Sequence, residues 1–359
     1  MPIKKRIIFL LAITILCFNI VGCKLSSLSE ETGSGSIDDS GISSTAYNKV
    51  TTQDEILAAL LATMKNNEKN CYFFVSSQDM VDADSWLTKL NGIEKIHCDY
   101  RRIKDGYNVA VTLNYWDNYS IVNAYKTGST KLLTPKQLEL YNKYCEILAQ
   151  YTSTGASDWA NELAIHDYLV SNVKYELVDN AIYNAYDTLI NGTAVCNGYA
   201  ECFKTFMDML GIECTAISGS AGGELHIWNL VKLEGAWYQV DVTWDDPING
   251  TGHIEHSYFN ITDSDMAKDH TWVASNYPVA TGAEHSYPNV KGLPAFSSDN
   301  DIISFLTTSL KSKIDIVEFV TTNTIDLKAF ISKCGINVSY SYNISDYANF
   351  VLYKLDFTY

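Results

Sequence analysis

The chain is short of positive charge. Its 359 residues carry 26 Lys and Arg against 42 Asp and Glu, a formal net charge of -16. That balance argues against nucleic acid as a partner and against electrostatic docking on anionic lipids. Long apolar runs are scarce too: beyond Ile7 to Val21, none resembles a membrane-spanning helix. The nine cysteines show no compact spacing framework. Three disulfides are arithmetically open, but mostly reduced and buried thiols are expected. Metal motifs are also missing. His253-Ile254-Glu255-His256 is not the H-E-x-x-H of zinc proteases, and no dedicated calcium loop is visible. No cofactor and no metal ligand are therefore expected.

What is present begins with an address. Lys4-Lys5-Arg6 is a basic n-region, Ile7 to Val21 a mostly apolar h-region, and Ile20-Val21-Gly22-Cys23 reads as a lipobox. The apolar run is short for a spanning helix, and Gly22 before Cys23 suits processing. Residues 1–22 thus resemble a bacterial lipoprotein signal, with cleavage before Cys23 and lipid on its thiol. An uncleaved anchor or an ordinary secretory signal would also leave the rest outside the cytoplasm. The expected place is the extracytoplasmic face of the cell membrane, lipid-anchored. Removing 1–22 takes away Lys4, Lys5 and Arg6 and no acid, moving the charge from -16 to -19. Residues 23–46 are rich in Ser, Gly, Thr and acids and read as a flexible tether.

The chemistry lies in the middle of the chain. Tyr199, Phe203, Phe206, Met207 and Leu210 recur at helical spacing, with Gly211 as a stop. Cys196 then sits at the helix N-terminus, where the dipole and N–H groups favour a thiolate and could hold an oxyanion. Gly198 leaves room for a substrate backbone. Residues 225–233 and 236–244 are rich in strand formers, and Glu234-Gly235 between them predicts a two-residue hairpin turn. Leu233 then pairs with Ala236, and Trp228 falls opposite Asp241. His226 shares a face with Trp228, so His226 and Asp241 become diagonal neighbours roughly 7–8 Å apart at Cα. A slip of one residue would separate them. A thiol, an imidazole and a carboxylate in this order can make a covalent acyl enzyme.

Between about Asn161 and Trp272 a series of motifs carries a family resemblance. They are His166-Asp167-Tyr168-Leu169, Asn191 through Ala200 around Cys196, Leu210-Gly211-Ile212-Glu213-Cys214 and His226-Ile227-Trp228-Asn229-Leu230-Val231. Trp237 through Pro247, Tyr258-Phe259-Asn260 and His270-Thr271-Trp272 complete the series. The stretch resembles a bacterial transglutaminase-like domain of the papain-like cysteine-enzyme superfamily. The resemblance implies Cys196 as nucleophile, His226 as general base and acid, and Asp241 as the residue orienting His226. It also implies an α+β papain-like core, a helix packed on an antiparallel sheet. Protein or peptide substrates follow; the expected location alone adds cell-wall peptide. The implied step is acyl transfer through a thioester, ending in crosslinking, deamidation or peptide hydrolysis.

The flanks read as a repeat. Helix, strand, helix and two strands are expected at 54–65, 71–77, 82–90, 94–103 and 107–115. The same order returns at 300–311, 316–322, 325–333, 336–344 and 347–357. Phe74-Val75 aligns with Phe319-Val320, Trp86 with Phe330, and Gly92-Ile93 with Gly335-Ile336. Two small αβαββ modules, 47–150 and 299–359, are thus expected around a catalytic domain at 151–272. Residues 273–298, with Pro278, Pro288 and Pro294, read as a linker.

Other residues invite plainer readings. His166 falls on a helical pattern and suits packing or hydrogen bonding. Metal binding at His253 and His256 is disfavoured, His270 reads as structural, and the tyrosines read as packing residues. Cys202, six residues after Cys196, faces elsewhere. The glycines Gly219, Gly222 and Gly223 read either as a loop moving over the cleft or as an ordinary connection. Two functions stay open: the acyl-transfer enzyme, and a non-catalytic surface binding or scaffold protein that retains the triad.

Overall fold

The computed structural model describes residues 47–176, 184–246, 254–346 and 350–359, in two compact units that divide after Trp116. The lipobox, Cys23 and the tether lie outside the described residues. No described helix is long and apolar enough to cross a membrane.

The first unit runs β1 (Asn48–Lys49), α1 (Gln53–Lys65), β2 (Asn70–Val75), α2 (Ala83–Leu87), β3 (Ile93–Ile103) and β4 (Gly106–Tyr115). Thr52 caps α1 by accepting the Glu55 N–H, and Ile56, Leu60 and Met64 line its buried stripe. In β2, Cys71, Phe73 and Val75 alternate inward. Trp86 of α2 is fully buried, edge-on to Phe73, and donates Nε1–H to Gln53 Oε1 at 2.8 Å. The sheet order is β1-β2-β4-β3, with β1 parallel to β2 and the other pairs antiparallel.

The second unit opens with α3 (Asp117–Thr127), α4 (Pro135–Tyr151) and α5 (Asp158–Asn172). Thr134 and Gln137 form a capping box on α4, with Pro135 at its start. Short β5 (Lys174–Tyr175) pairs in parallel with β6 (Thr193–Ala194) and leads into α6 (Cys196–Leu210). Then come β7 (Cys214–Ala221), β8 (Glu224–Leu233), β9 (Ala236–Val240), α7 (Val242–Asp245), α8 (Asp263–Met266) and β10 (His270–Trp272). The antiparallel sheet has the order β10-β7-β8-β9. Helix α6 lies on it: Tyr199, Phe203, Phe206 and Met207 are fully buried in one cluster with Trp228, Leu230 and Val240. Burying each such side chain contributes about 1.5–3 kcal/mol. Gly211, at φ 82°, ends the helix as its spacing predicts. This is the α+β core expected from the resemblance.

The chain finishes with α9 (Tyr287–Val290), β11 (Ala295–Phe296), α10 (Asp299–Lys311), β12 (Ile316–Thr321), α11 (Leu327–Lys333), β13 (Ser339–Asp346) and β14 (Val351–Thr358). The sheet order β11-β12-β14-β13 has the same parallel and antiparallel pairings as the first unit. The two modules are therefore a repeat. Asp82 and Asp326 cap α2 and α11 alike, three residues before the amides they accept. Trp86 and Phe330 occupy the same buried turn.

The structure corrects three details. Phe319 corresponds to Phe73, not Phe74, because Phe73 pairs with Val109 as Phe319 pairs with Tyr353, two residues from each strand's last pair. Two adjacent, equally apolar rings hide which one faces the helix, and only burial separates them. The N-terminal unit ends at Trp116 rather than near 150, because Leu140, Tyr144, Ile147 and Leu148 of α4 pack in the second unit's core. Residues 273–298 are not a bare linker. Ala280 and Tyr287 are buried, and the Gly282 backbone lies so close to the Tyr238 ring that a Cβ would meet it at 2.2 Å.

One buried pair joins α5 to the sheet side. Glu162 and Asn260 are fully buried, and Asn260 Nδ2 donates to Glu162 Oε2 at 2.9 Å. Glu162 Oε1 and Asn260 Oδ1 find no protein partner. Burial pushes the Glu162 carboxyl up to about 8, so at neutral pH it is the neutral acid, whose proton meets the need of an acceptor. The fold holds that proton and the unfolded chain gives it up near 4.5. The stabilisation is complete below about 4.5 and is lost as pH rises through about 8. Glu162→Gln, which supplies an N–H in place of the acid proton, should keep the stability and flatten its decline between these limits. Urea unfolding of both proteins across this pH range checks it; an unchanged slope in the variant would refute the assignment.

Candidate active site

Cys196 is the first residue of α6, preceded by Val195 in extended conformation. The first-turn N–H groups of a helix point back towards such a residue. The thiol is half-buried and close enough to the His226 ring to help raise its pKa.

His226 is placed by the hairpin. Glu234 and Gly235 both have positive φ, 49° and 90°, the two-residue turn that suits strand twist. Leu233 pairs with Ala236 and Asn229 with Val240, which sets Trp228 opposite Asp241 as the turn predicts. Asp241 lies one residue past β9 and caps α7: its Oδ1 accepts the Thr243 and Trp244 N–H groups at 3.0 and 3.2 Å. Its Oδ2 accepts from His226 Nε2 at 2.7 Å. The other ring nitrogen of His226, Nδ1, is then the one left for Cys196. The three residues that sequence reasoning selected are brought together.

A fourth residue is there that the sequence reading took as structural. His270 Nε2 meets the same Asp241 Oδ2 at 3.0 Å, and its Nδ1 meets Asp269 Oδ1 at 2.6 Å. Asp269 Oδ2 in turn accepts the Tyr258 hydroxyl at 2.6 Å. Both ring nitrogens of His270 face carboxylates, so the ring carries both protons. The sequence offered one signal, an acid beside a histidine ahead of Thr271-Trp272; the partner, Asp241, comes only with the pairing of β10 on β7. Gly219 makes that pairing possible. It lies within β7, where a Cβ would meet Thr271 O at 2.1 Å, and not in a loop. Gly222 and Gly223 alone form the turn, at φ 57° and 88°, a tight hairpin and not a lid.

The electrostatics follow from these contacts. Burial alone would raise Asp241, but the His226 and His270 charges and hydrogen bonds outweigh it and hold the carboxyl far below the usual range. Burial alone would lower His226; the Asp241 charge and hydrogen bond, then Cys196, push it up to about 10. Burial also opposes charge on His270, and Asp241 and Asp269 raise it. Trp228 stacks on the His226 ring at 5.9 Å, while Trp244 packs against both His226 and His270. Trp228 is held in turn by its Nε1–H on Gln239 Oε1 at 2.6 Å.

A second cluster lies around α5. His166 is fully buried between Asp167, Nδ1 to Oδ1 at 3.1 Å, and Asp245, Nε2 to Oδ2 at 3.1 Å. His256 Nε2 reaches the same Asp167 Oδ1 at 2.8 Å. His166 thus has the hydrogen-bonding role expected of it. His253 lies outside the described residues. None of the seven described cysteines is in a disulfide, and burial raises the thiols of Cys202 and Cys214.

Comparison with known proteins bears on this region. Residues 146–242 match the family model of the Transglutaminase-like superfamily, a range that includes Cys196, His226 and Asp241. Kyphoscoliosis peptidase of Homo sapiens is 26% identical over 153 residues, 36% of this chain and 22% of that protein. The Mus musculus protein of the same name is 28% identical over 116 residues, 28% of this chain and 18% of that one. The chain thus spans about a fifth of the length of these curated relatives. A solved TGase structure is 14% identical with a TM-score of 0.28, over 64% of this chain and 59% of that one. Residues 146–242, with the helix and hairpin that carry the trio, form a transglutaminase-like domain.

Proposed function

We propose that this chain is a lipid-anchored cell-surface cysteine enzyme that performs acyl transfer on protein or peptide amides. The observation that carries the reading is the 2.7 Å bond from His226 to Asp241 with the Cys196 thiol close beside the same ring. The Cys196 thiolate attacks a glutamine carboxamide or a peptide carbonyl. The tetrahedral intermediate collapses to a thioester as His226 Nδ1–H protonates the departing ammonia or amine. Asp241 holds the imidazolium and its orientation throughout. An incoming amine or water then gives up a proton to His226, attacks the thioester and releases the Cys196 sulfur. Amine attack gives an isopeptide crosslink; water gives deamidation or peptide cleavage. The name of the curated relatives, peptidase, supports water as one acceptor. The Trp228 and Trp244 rings beside His226 support a partly dry site in which an amine could compete. The duplicated modules favour a second reading, a surface binding protein that retains the trio.

Intact-mass analysis separates these readings. The full chain would be incubated with a glutamine-containing protein and a labelled primary amine, beside Cys196→Ala. Label incorporation, deamidation or cleavage should fall at least about 10³-fold in the variant. Equal products from both proteins would exclude Cys196 as nucleophile. No product, with a ligand still held by Cys196→Ala, would favour the binding protein.

His270 acts through Asp241 and is a positioning residue. Its charge disfavours the nearby His226 imidazolium, so His270→Gln, which keeps a donor and removes the charge, should move the alkaline limb of kcat/KM, governed by His226 near pH 10, to higher pH. His270→Ala should instead lower kcat by about tenfold or more, as loss of an outer hydrogen bond does. An unmoved alkaline limb in His270→Gln would leave His270 a packing residue.

The anchor has its own test. Cys23→Ala should abolish incorporation of labelled fatty acid and shift the chain out of the membrane fraction. Retained label in the variant would place the lipid elsewhere.

A further inference from the structure

We propose that His166, Asp167 and His256 form a binding site for one divalent first-row transition ion such as Zn2+, separate from the Cys196 site. The three ligand atoms lie within 4.8 Å of one another. The Asp167 Oδ1 separations, 3.1 Å to His166 Nδ1 and 2.8 Å to His256 Nε2, suit a common ion. With metal bonds of about 2.05 Å, neighbouring donors stand about 2.9 Å apart around a six-coordinate ion and about 3.3 Å around a tetrahedral one. Two imidazoles and one carboxylate with open positions are a donor set for ions of this class.

The surroundings are built for such a site. His166 Nε2 is held by Asp245 Oδ2 at 3.1 Å, which turns Nδ1 to the ion, the outer carboxylate arrangement common to metal-bound histidines. Asp245 is fixed in its turn by the Tyr258 N–H on both oxygens, at 3.0 and 3.2 Å. The His256 ring lies flat on Tyr287, 3.6 Å away and 7° from parallel. Both imidazoles are buried, while the Asp167 side chain is 32% exposed, which gives an ion entry and water for its remaining positions. On binding, the ion replaces the proton of His166 Nδ1, which leaves to solvent. His256 moves its own proton to Nδ1 and offers the Nε2 lone pair.

The site joins α5 to the segment carrying His256, and Tyr287 extends the join. Its hydroxyl donates to Glu318 of β12 at 3.2 Å. A bound ion therefore ties the catalytic core to the C-terminal module. Nothing in this inference depends on acyl transfer.

The test is calorimetric titration of the chelator-stripped full chain with Zn2+. It is done on a Cys196→Ala, His226→Gln background, so that the neighbouring thiol and the His226–Asp241–His270 cluster do not compete. One equivalent should bind, and X-ray absorption at the zinc edge should read two imidazoles and no sulfur. Adding Asp167→Asn or His256→Gln should weaken binding at least about tenfold. If His256→Gln does not fold, Asp167→Asn, near-isosteric and at a partly exposed position, decides alone. No binding by the folded chain, or undiminished binding in Asp167→Asn, would overturn the proposal.

Discussion

Asp241 keeps its negative charge where only 1% of its side chain meets solvent. An unpaired carboxylate there would cost several kcal/mol. The fold supplies four donors instead: His226 from β8, His270 from β10 and two amides from the start of α7. Each comes through a different dependency. His226 needs the hairpin register, His270 needs β10 seated against Gly219, and the amides need α7 to begin at Val242. A change that loosens any of these leaves part of the charge unmet, so the sheet's geometry and the trio's electrostatics are one problem.

The same device occurs twice. His270 bridges Asp241 and Asp269, as His166 bridges Asp245 and Asp167. Burial opposes charge on both rings, and the flanking carboxylates win; His166 is pushed up to about 9. His256 shows the converse. Burial leads in lowering it to about 4, and the His166 charge adds to that against the Asp167 bond. Tyr258 links the two bridges, its hydroxyl on Asp269 and its N–H on Asp245. A polar chain thus runs from His226 to His256 with each link made by a charge-assisted bond or through Tyr258. Such bonds are stronger than neutral ones and are costly to break singly.

Local rules made part of this legible in the sequence. Two adjacent turn residues, Glu234-Gly235, allow one register, and that register alone puts His226 beside Asp241. The helix after Cys196 follows from apolar spacing and a terminal glycine. The repeat follows from element order, because small modules reuse the same alternation. What stayed hidden depends on long-range placement. His270 meets Asp241 across 29 residues, and no periodicity announces that. Helices α3 and α4 carry ordinary amphipathic patterns, which do not say which unit's core they will join. The proline-bearing stretch 273–298 reads as a connection because its few buried residues, Ala280 and Tyr287 among them, are isolated in sequence.

The two modules differ where fold does not constrain them. On the face of the sheet away from its helices, the C-terminal copy pairs Glu318 with Lys354 and Val320 with Leu352. Val320 and Leu352 join the large core around α6, Lys354 donates to the Ile254 carbonyl at 3.1 Å, and Glu318 accepts from Tyr287. The corresponding pairs in the N-terminal copy are Tyr72 with Ala110 and Phe74 with Asn108. That copy has neither the cation nor the acid, so it cannot dock by the same contacts. The helix-facing residues follow another rule: Phe73 and Phe319 stay fully buried in both. Interior packing preserves the module, and the open face is where duplication left room for separate roles. The C-terminal face has become part of the core around α6 and its sheet, whereas the N-terminal face presents aromatic rings and an amide, a chemistry suited to different contacts.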